Sequence, residues 1–290
     1  MRRIFNPSVL LLAAGVVSAC KLPDNVIKSE DIPTAGVRFV NAVPDSAGAF
    51  GLDMRFVDIV ESNAQFRITF RNNPVTASGV TASTQVQYKN ARAGSRHFTI
   101  FLDDTLQNIA STVLKDTTVT LTAGKNYTVM LAGGARAGSA PAMKLMVIEE
   151  SVADPGNQVA LRVINTTGTA IDVRQYTQGG TLPVAATWAN VQPQGISNYV
   201  TSTPGNILYN VQPAGGGTAL FADQLALLGA AATVDIEALP GTTIAGSAVT
   251  LVVFPRSTAG ARTPQGAAFQ IPAGSFIWDR RPVRACSPLC

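Results

Sequence analysis

The strongest constraint on the fold of this chain is an internal duplication of short segments with β-strand character. Residues 38–42 (RFVNA) resemble residues 162–166 (RVINT), and residues 52–55 (LDMR) resemble residues 171–174 (IDVR). The copies are separated by about 120 residues, which is the size of a domain and much longer than a solenoid repeat. The duplication therefore predicts two tandem copies of one domain.

The boundaries of the two copies follow from this alignment. We expect the first copy at residues 36–151 and the second at residues 158–285, joined near residues 152–157, where Asp, Pro and Gly interrupt the apolar pattern. Tyr88 and Tyr199 occupy corresponding places, each shortly before a glycine. Their match extends the duplication beyond its opening strands.

Both copies consist of short strand-like segments separated by turn signals. Residues 118–122 alternate polar and apolar side chains, residues 123–126 form a turn signal, and residues 127–131 continue as a second strand, which predicts a hairpin. Only residues 219–232 have a helical composition. Many short strands with regular turns predict an all-β fold of two tandem β-sandwiches.

The N-terminus has the order of features of an export signal. Arg2 and Arg3 precede a short apolar run at residues 9–17, and two small residues then precede Cys20. The apolar run is shorter than the roughly 20 residues that span a bilayer. Residues 17–20 (VSAC) resemble the lipobox of bacterial lipoproteins. The alternative is an ordinary secretory signal with a chance cysteine.

The lipobox resemblance implies a membrane anchor. It makes residues 1–19 a signal peptide, Cys20 a diacylglyceryl cysteine that also carries palmitate, and residues 20–35 a tether. Several acyl chains hold a protein firmly on a membrane, whereas a single chain binds marginally. Lys21 follows the cysteine, and the absence of Asp there favours the outer membrane. We therefore expect a protein of the cell envelope whose first partner is the membrane.

Composition excludes one class of partner. The formal charge is +4, and loss of Arg2 and Arg3 with the signal lowers it to +2, without any run of Lys or Arg in the mature chain. This pattern lacks the basic footprint of a nucleic-acid-binding protein. Charged residues make up 14% of the chain, compared with about 25% in typical domains. We expect no nucleic acid partner, and an envelope polysaccharide or protein as the partner besides the membrane.

Two further cysteines lie at the C-terminus. Cys286 and Cys290 are separated by three residues in a tail at 286–290. In an oxidising compartment an even pair favours a disulfide, and two free thiols are the alternative. A metal site is the least favoured interpretation, because two ligands do not complete a tetrahedral set. The sequence predicts no metal and no cofactor.

The repeated openings resemble the bacterial domain of unknown function 4397 family. In the first copy the resemblance lies in residues 38–45, 52–54, 123–124 and 127–129, and in the second in residues 162–165 and 171–173. The second copy departs from the family where Thr166, Thr167 and Gly168 replace an Ala-Val-Pro-Asp stretch. The resemblance implies immunoglobulin-like sandwiches on an exported protein, and supplies no catalytic residues.

The side chains that usually carry catalysis are scarce. His97 is the single histidine, no Gly-x-Ser-x-Gly elbow is present, and a catalytic zinc needs more ligands than one His supplies. The adjacent acids Asp103–Asp104 and Glu149–Glu150 do not form a pair on one face of a strand, because neighbours on a strand point to opposite sides. Trp188 and Trp278 fit packing in a core better than stacking on sugars.

One acidic position recurs in both copies. Asp53 and Asp172 are each followed, two residues later, by Arg55 and Arg174, which project on the same face of an alternating strand. We interpret these residues as structural ion pairs, with Arg38 and Arg162 as alternative partners. A calcium site is the second interpretation, and it requires several more oxygen ligands.

These observations favour a lipid-anchored envelope protein with a non-enzymatic binding or structural role. Loops on a rigid scaffold commonly carry partner contacts, and the long segment 65–84 is the first candidate. One alternative is an envelope glycan hydrolase that uses acidic residues. Another is a secretion or assembly accessory protein that pairs through a strand edge.

Overall fold

Segments rich in β-branched and aromatic residues form sixteen strands in the residues that the computed structural model describes, which are 32–45, 52–59, 88–102, 104–259 and 270–282. Residues from Pro33 onward belong to one compact unit. Within the described ranges the only helix is one short turn, α1 (Gln107–Ala110). The predicted all-β class of β-sandwich domains is confirmed.

The first half forms two facing sheets, ordered β3-β1-β6-β7 and β2-β4-β5. Their strands are β1 (Thr34–Ala42), β2 (Leu52–Phe56), β3 (Lys89–Arg92), β4 (Gly94–Leu102), β5 (Val113–Leu121), β6 (Asn126–Ala132) and β7 (Lys144–Glu150).

The second half repeats this plan in sheets ordered β11-β8-β15-β16, with β12 also paired to β8, and β10-β9-β13-β14. Its strands are β8 (Val159–Asn165), β9 (Ile171–Thr177), β10 (Trp188–Val191), β11 (Gly195–Ile196), β12 (Val200–Ser202), β13 (Ile207–Pro213), β14 (Gln224–Leu225), β15 (Ala248–Phe254) and β16 (Ala273–Arg280).

The same unusual strand pairing occurs in both halves. The opening strand β1 pairs in parallel with β6, and the opening strand β8 pairs in parallel with β15. The register sets Arg38 opposite Thr128 and Arg162 opposite Thr250. In each half, the strand after the parallel pair adds antiparallel to it. The duplicated sequence therefore folds into duplicated topology.

The central strands are buried on both faces. Val37 and Phe39 of β1 point into the core of the first sandwich, whereas Val40 and Ala42 point into a separate apolar cluster. That cluster also contains Ile164, Val252, Phe254 and Ile277 from the second half. Because successive side chains of a strand alternate between faces, the same strands line a sandwich core and an interface. The two sandwiches are packed back to back.

Burial on both faces explains the composition of these strands. β1, β8 and β15 are buried along almost their whole length. Parallel strands in covered sheets read as nearly continuous apolar runs and not as alternating ones. Each sandwich also has its own core between its two sheets.

The hairpin predicted at residues 118–131 is wrong. β5 pairs with β4, whereas β6 pairs with β1 in the other sheet. The amide of Gly124 donates to the carbonyl of Thr34 (2.8 Å), and that of Gly36 donates to Lys125 (2.9 Å). These bonds tie the turn to β1, so the chain crosses between sheets where local sequence suggested a hairpin.

The helical composition of residues 219–232 does not produce a helix. This segment contains the short edge strand β14, which pairs with β13. Phe221 and Ala226 are buried in the core of the second sandwich. Their tertiary contacts outweigh the local helix propensity, which is a weak preference.

Several expectations concern residues outside the described ranges. Cys20 with the signal and residues 20–31 of the tether, Cys286 and Cys290, Asp103 and the segment 65–84 all fall there. Residues 34 and 35, which the sequence placed in the tether, instead belong to β1, because they pair with β3. Among the described residues, no helix has the length and apolar character needed to cross a bilayer.

A substitution in the interface should destabilise both halves together. Ile164 is fully buried in the apolar cluster between the sandwiches, so Ile164→Ala should lower the free energy of unfolding by about 2–5 kcal/mol. The exposed Ile236 provides a matched control, and Ile236→Ala should change it by less than about 0.5 kcal/mol.

Calorimetry and amide hydrogen exchange would measure this effect. The expected result is one unfolding transition at lower temperature, with faster exchange in both β4 and β13. Two separate transitions, with β4 unaffected by Ile164→Ala, would show that the sandwiches are independent.

Candidate functional site: a charged cluster between the sandwiches

Two arginines at matching positions point away from the sandwich cores into the interface. Arg38 lies on β1 and Arg162 on β8, at the same step of the duplicated segment. Their side chains are 0% and 6% exposed. A buried guanidinium requires both hydrogen-bond acceptors and opposite charge, and the interface supplies both.

Each arginine makes the same bond within its own copy. The Nε of Arg38 donates to Thr128 Oγ1 on the parallel strand at 2.8 Å, and the Nε of Arg162 donates to Thr250 Oγ1 at 2.7 Å. Each threonine hydroxyl donates in turn to a carboxylate of its copy, Thr128 to Glu150 and Thr250 to Asp279.

The carboxylates also join the two copies. Arg38 forms an ion pair with Asp279 across the interface and a longer one with Glu150, at 3.3 Å. Arg162 pairs with Glu150 across the interface at 2.6 Å and with Asp279 at 3.4 Å. Arg38 also donates to the carbonyl of Trp278. The four charges thus form a closed, neutral set.

Two tyrosines cover the guanidinium groups. The Cζ of Arg38 lies 4.6 Å from the ring centre of Tyr88, and that of Arg162 lies 4.6 Å from the ring centre of Tyr199. Cations at this distance are attracted by the ring face, most strongly when desolvated. The Tyr199 hydroxyl also donates to Asp279 at 2.7 Å. We call these eight residues the interface cluster: Arg38, Tyr88, Thr128, Glu150, Arg162, Tyr199, Thr250 and Asp279.

The two carboxylates have opposite pKa shifts. Burial acts to raise the pKa of Asp279, but the two guanidiniums and the hydroxyls of Thr250 and Tyr199 lower it below its ordinary value. Burial, together with the charge of Asp279, raises the pKa of Glu150 above its ordinary value. Asp279 accepts a hydrogen bond from a tyrosine hydroxyl, and Glu150 does not. Hydrogen bonds therefore stabilise the ionised form more at Asp279 than at Glu150.

The arginines stay charged in this setting. Burial acts to lower the pKa of Arg38, but the surrounding oxygens raise it above its ordinary value. The pKa of Arg162 is raised in the same way against the effect of burial. The cluster is therefore a permanent charge network, sealed from water, whose hydrogen bonds hold two sheets in one register.

The adjacent acids at the end of β7 point in opposite directions. Glu150 belongs to the interface cluster, whereas Glu149 lies on the other face and pairs with Lys125 at 3.2 Å, both about half exposed. They do not share a site.

The expected aspartate–arginine pairs differ between the copies. Asp53 forms an ion pair with Arg55. Asp172 instead accepts the backbone amides of Asn190 (2.7 Å) and Gly215 (3.0 Å). The predicted Asp172–Arg174 pair is therefore replaced, because loop amides satisfy the carboxylate. Arg174 donates to Gln212 at 2.9 Å and to a backbone carbonyl.

His97 lies on the exposed face of β4. Its Nε2 is 2.7 Å from Asp116 Oδ1, and Thr99 donates to the same oxygen at 2.8 Å. These hydrogen bonds lower the pKa of Asp116. The threonine contacts the carboxylate and not the imidazole, so this group lacks the order of a catalytic triad.

The glycine-rich loop at residues 133–138 is held by Asp45. The carboxylate accepts the amides of Ala135 (2.8 Å) and Arg136 (2.9 Å) and the hydroxyl of Ser139 (3.1 Å). Nearby, Gln194 of the second half donates to the carbonyl of Ala142 at 2.8 Å.

Both tryptophans are buried. Trp188 stacks on Tyr209 in the second sandwich, with ring centres 5.9 Å apart, and Trp278 meets Tyr88 edge-on at 5.6 Å. Among the described residues, no group of three or more His, Cys, Asp or Glu is arranged to hold a metal ion.

Sequence comparison found only part of the interface cluster. It aligned Arg38 with Arg162 and Tyr88 with Tyr199, but it missed the threonines and the carboxylates. The threonines had a signal, since Thr128 and Thr250 each follow an Ala-Gly pair by the same interval. Glu150 and Asp279 lie in segments with little other similarity, so the alignment offered no signal for them.

Replacing either carboxylate tests the asymmetry of the cluster. Asp279→Asn should lower the free energy of unfolding by about 3–5 kcal/mol, because it leaves buried guanidiniums short of charge. Glu150→Gln should cost less, about 1–3 kcal/mol, since burial and the charge of Asp279 already oppose ionisation at Glu150. Urea denaturation of both variants measures the difference. Equal costs would contradict the opposite pKa shifts.

The same variants should differ in pH dependence. Asp279 has a lowered pKa, so its contribution is present above the unfolded value near 3.8 and is lost as pH falls through the folded value. The stability gap between the wild type and Asp279→Asn should therefore shrink on acidification.

Glu150 has the opposite sign. Its raised pKa favours the folded state below the unfolded value near 4.5, and this advantage is lost as pH rises through the folded value. The free energy of unfolding of Glu150→Gln, relative to that of the wild type, should therefore increase with pH. Urea titrations from about pH 3 to neutrality measure both trends, and parallel curves for all three proteins would contradict them.

Comparison with known families gives one match. The model of a family described as a domain of unknown function (DUF4397) matches residues 35–176. The match begins in β1, includes the first sandwich and ends in β9. The resemblance seen in the first copy is confirmed over this range. No curated protein matches the chain.

Among solved structures, the chain is similar to the Bacillus anthracis TIE protein, with 9% sequence identity and a TM-score of 0.20. The similar region covers 78% of this chain and 34% of that protein, so this chain spans about a third of its length. A DUF4397 region at residues 35–176 is thus what the comparisons establish.

Proposed function

We propose that this chain is a lipid-anchored, non-enzymatic protein of the cell envelope, in which two copies of the DUF4397 domain act as one binding or structural unit. Cys20 is the anchor in this proposal, and the outer membrane is its location. The second copy is the part of the chain from β8 to β16.

The observation that carries the proposal is the repeated interface cluster. Each copy contributes one arginine, one threonine, one carboxylate and one tyrosine, and each arginine contacts both carboxylates. The shared parallel strand pairing and the shared residues support a common domain type for the second copy. A buried ionic network defines one relative arrangement, because any other arrangement leaves charges unpaired.

The placement of the acidic residues favours a non-enzymatic role over glycan hydrolysis. Hydrolysis needs two carboxyl groups about 5–10 Å apart on either side of a bound sugar. Glu150 and Asp279 share two arginines, but their side chains are 1% and 0% exposed and no substrate reaches them. Charges held in this way stabilise a structure and are not free to transfer protons to a substrate.

The anchor is tested by Cys20→Ser in the native host. The wild type should fractionate with membranes and yield an N-terminal peptide that begins at an acylated Cys20, because several acyl chains bind a membrane firmly. Cys20→Ser should lack the acyl mass and leave the membrane fraction. Fractionation and intact-mass spectrometry measure both effects.

Cys290→Ser is the matched control, and it should leave acylation and location unchanged. A wild-type chain that is unacylated and still begins at Met1 would contradict the anchor. Release of soluble sugars from purified envelope by the purified chain would contradict the non-enzymatic role.

A further inference from the structure

The interior of the second sandwich contains a row of polar side chains where the first sandwich has aromatic ones. In the first copy Phe56 pairs with Phe98 across β2 and β4. The alignment of Arg55 with Arg174 sets Gln175 at the place of Phe56, and Gln175 pairs with Tyr209 across β9 and β13. The row continues to Gln224, which is opposite Tyr209 on β14.

Three buried oxygen atoms of this row have no hydrogen-bond partner: Gln175 Oε1, Tyr209 Oη and Gln224 Oε1. On the facing sheet, Ser275 Oγ also has none. Tyr209 is fully buried and Ser275 is 3% exposed. Buried polar groups in folded proteins are almost always satisfied, so four such atoms in one region indicate a missing partner.

A cavity lies at the end of this row. It has a volume of about 270 Å³ and opens between the edge strands β14 and β16, lined by residues 224–227 and 274–276. The ring of Phe276 forms one wall and lies 5.4 Å from the ring of Tyr209. The cavity therefore combines apolar walls with unsatisfied oxygens behind them.

Gln224 spans the gap between the two sheets. A Cβ added at Gly274 would lie 2.2 Å from Gln224 Oε1, so the glycine leaves room for the amide. Gln224 also lines the cavity, and its Oε1 is buried without a hydrogen-bond partner.

The chemistry of the lining selects the ligand class. No ionisable acid or base lines the cavity, and burial raises the pKa of Tyr209, which keeps its hydroxyl protonated. A charged ligand would lose its hydration without a counter-charge. In the lining, the amide oxygen of Gln224 needs a donor, and the hydroxyl of Ser275 can donate or accept. A neutral molecule with several hydroxyls and an apolar ring face meets these needs.

We propose that the second sandwich binds one neutral, hydroxyl-bearing group, a single sugar unit, in the cavity between β14 and β16, with Gln224 and Ser275, which line the cavity, as its hydrogen-bond partners. This inference rests on the proposed binding role and specifies it. The anchor at Cys20 does not depend on it.

The test uses the mature chain with glucose and N-acetylglucosamine as probes, and purified envelope glycan as a third arm. Saturation-transfer NMR and calorimetry should show one site per chain with Kd on the order of 1 mM for a monosaccharide. Gln224→Leu and Ser275→Ala should each weaken binding at least about tenfold, the effect of losing a hydrogen bond to a buried partner. The exposed residues give matched controls, Gln158→Leu and Ser151→Ala, which should bind as the wild type does.

Comparison of the monosaccharides with the envelope glycan distinguishes the source of the sugar. Binding of the monosaccharides alone identifies a free sugar as ligand, whereas tighter binding of the glycan identifies a polysaccharide unit. Absence of binding in every arm, or equal binding by Gln224→Leu and wild type, overturns the proposal and leaves water as the occupant. Gln224→Leu should still be acylated and membrane-bound, so this failure is distinct from failure of the proposed anchor.

The thermal stability of Ser275→Ala separates a ligand role from a structural one. Removing this unsatisfied hydroxyl should leave the melting temperature unchanged or raise it, while sugar binding weakens. A marked loss of thermal stability in Ser275→Ala would show that the hydroxyl serves the fold, and would also overturn the proposal.

Discussion

The pairing of buried charges across the interface is the constraint on which the arrangement of both sandwiches depends. Arg38 and Arg162 cannot remain in an apolar interface without Glu150 and Asp279, and neither copy alone provides all four groups. Burial of such ions carries a desolvation cost that the ionic contacts roughly offset. The net stabilisation therefore comes mainly from the surrounding apolar contacts, while the charges define the register.

Much of the fold was predictable because repeated segments and strand-like patterns can be recognised directly in the order of the residues. The all-β class and the matched arginines follow from residues read in order. The crossing between β5 and β6 did not, because its cause is the pairing of β6 with the distant β1. The ion pair of Arg38 with Asp279 could not be predicted either, since Asp279 lies 241 residues away in the sequence. Alternation predicts which face a side chain takes, but not what covers that face.

The two copies have kept one surface and changed another. At the interface, residue types and contacts correspond closely, down to the Nε bonds of 2.8 and 2.7 Å. Inside the sandwiches, Phe56 and Phe98 correspond to Gln175 and Tyr209. A row of apolar side chains stabilises the core by packing. A row of unsatisfied polar side chains lowers the stability and implies a role other than packing. The same contrast appears at Asp53 and Asp172, whose partners differ although the residues match.

The parallel pairing of each opening strand has a consequence for assembly. A ribosome releases β1 long before β6, and β16 follows all the other described strands, so β1 waits for hydrogen bonds from a segment made much later. Contacts between such distant segments are slow to form. Until β16 arrives, Arg38 lacks Asp279, its counterion across the interface, and β15 remains an open edge. A chain that stops before β16 would therefore lose stability in the first sandwich as well as in the second.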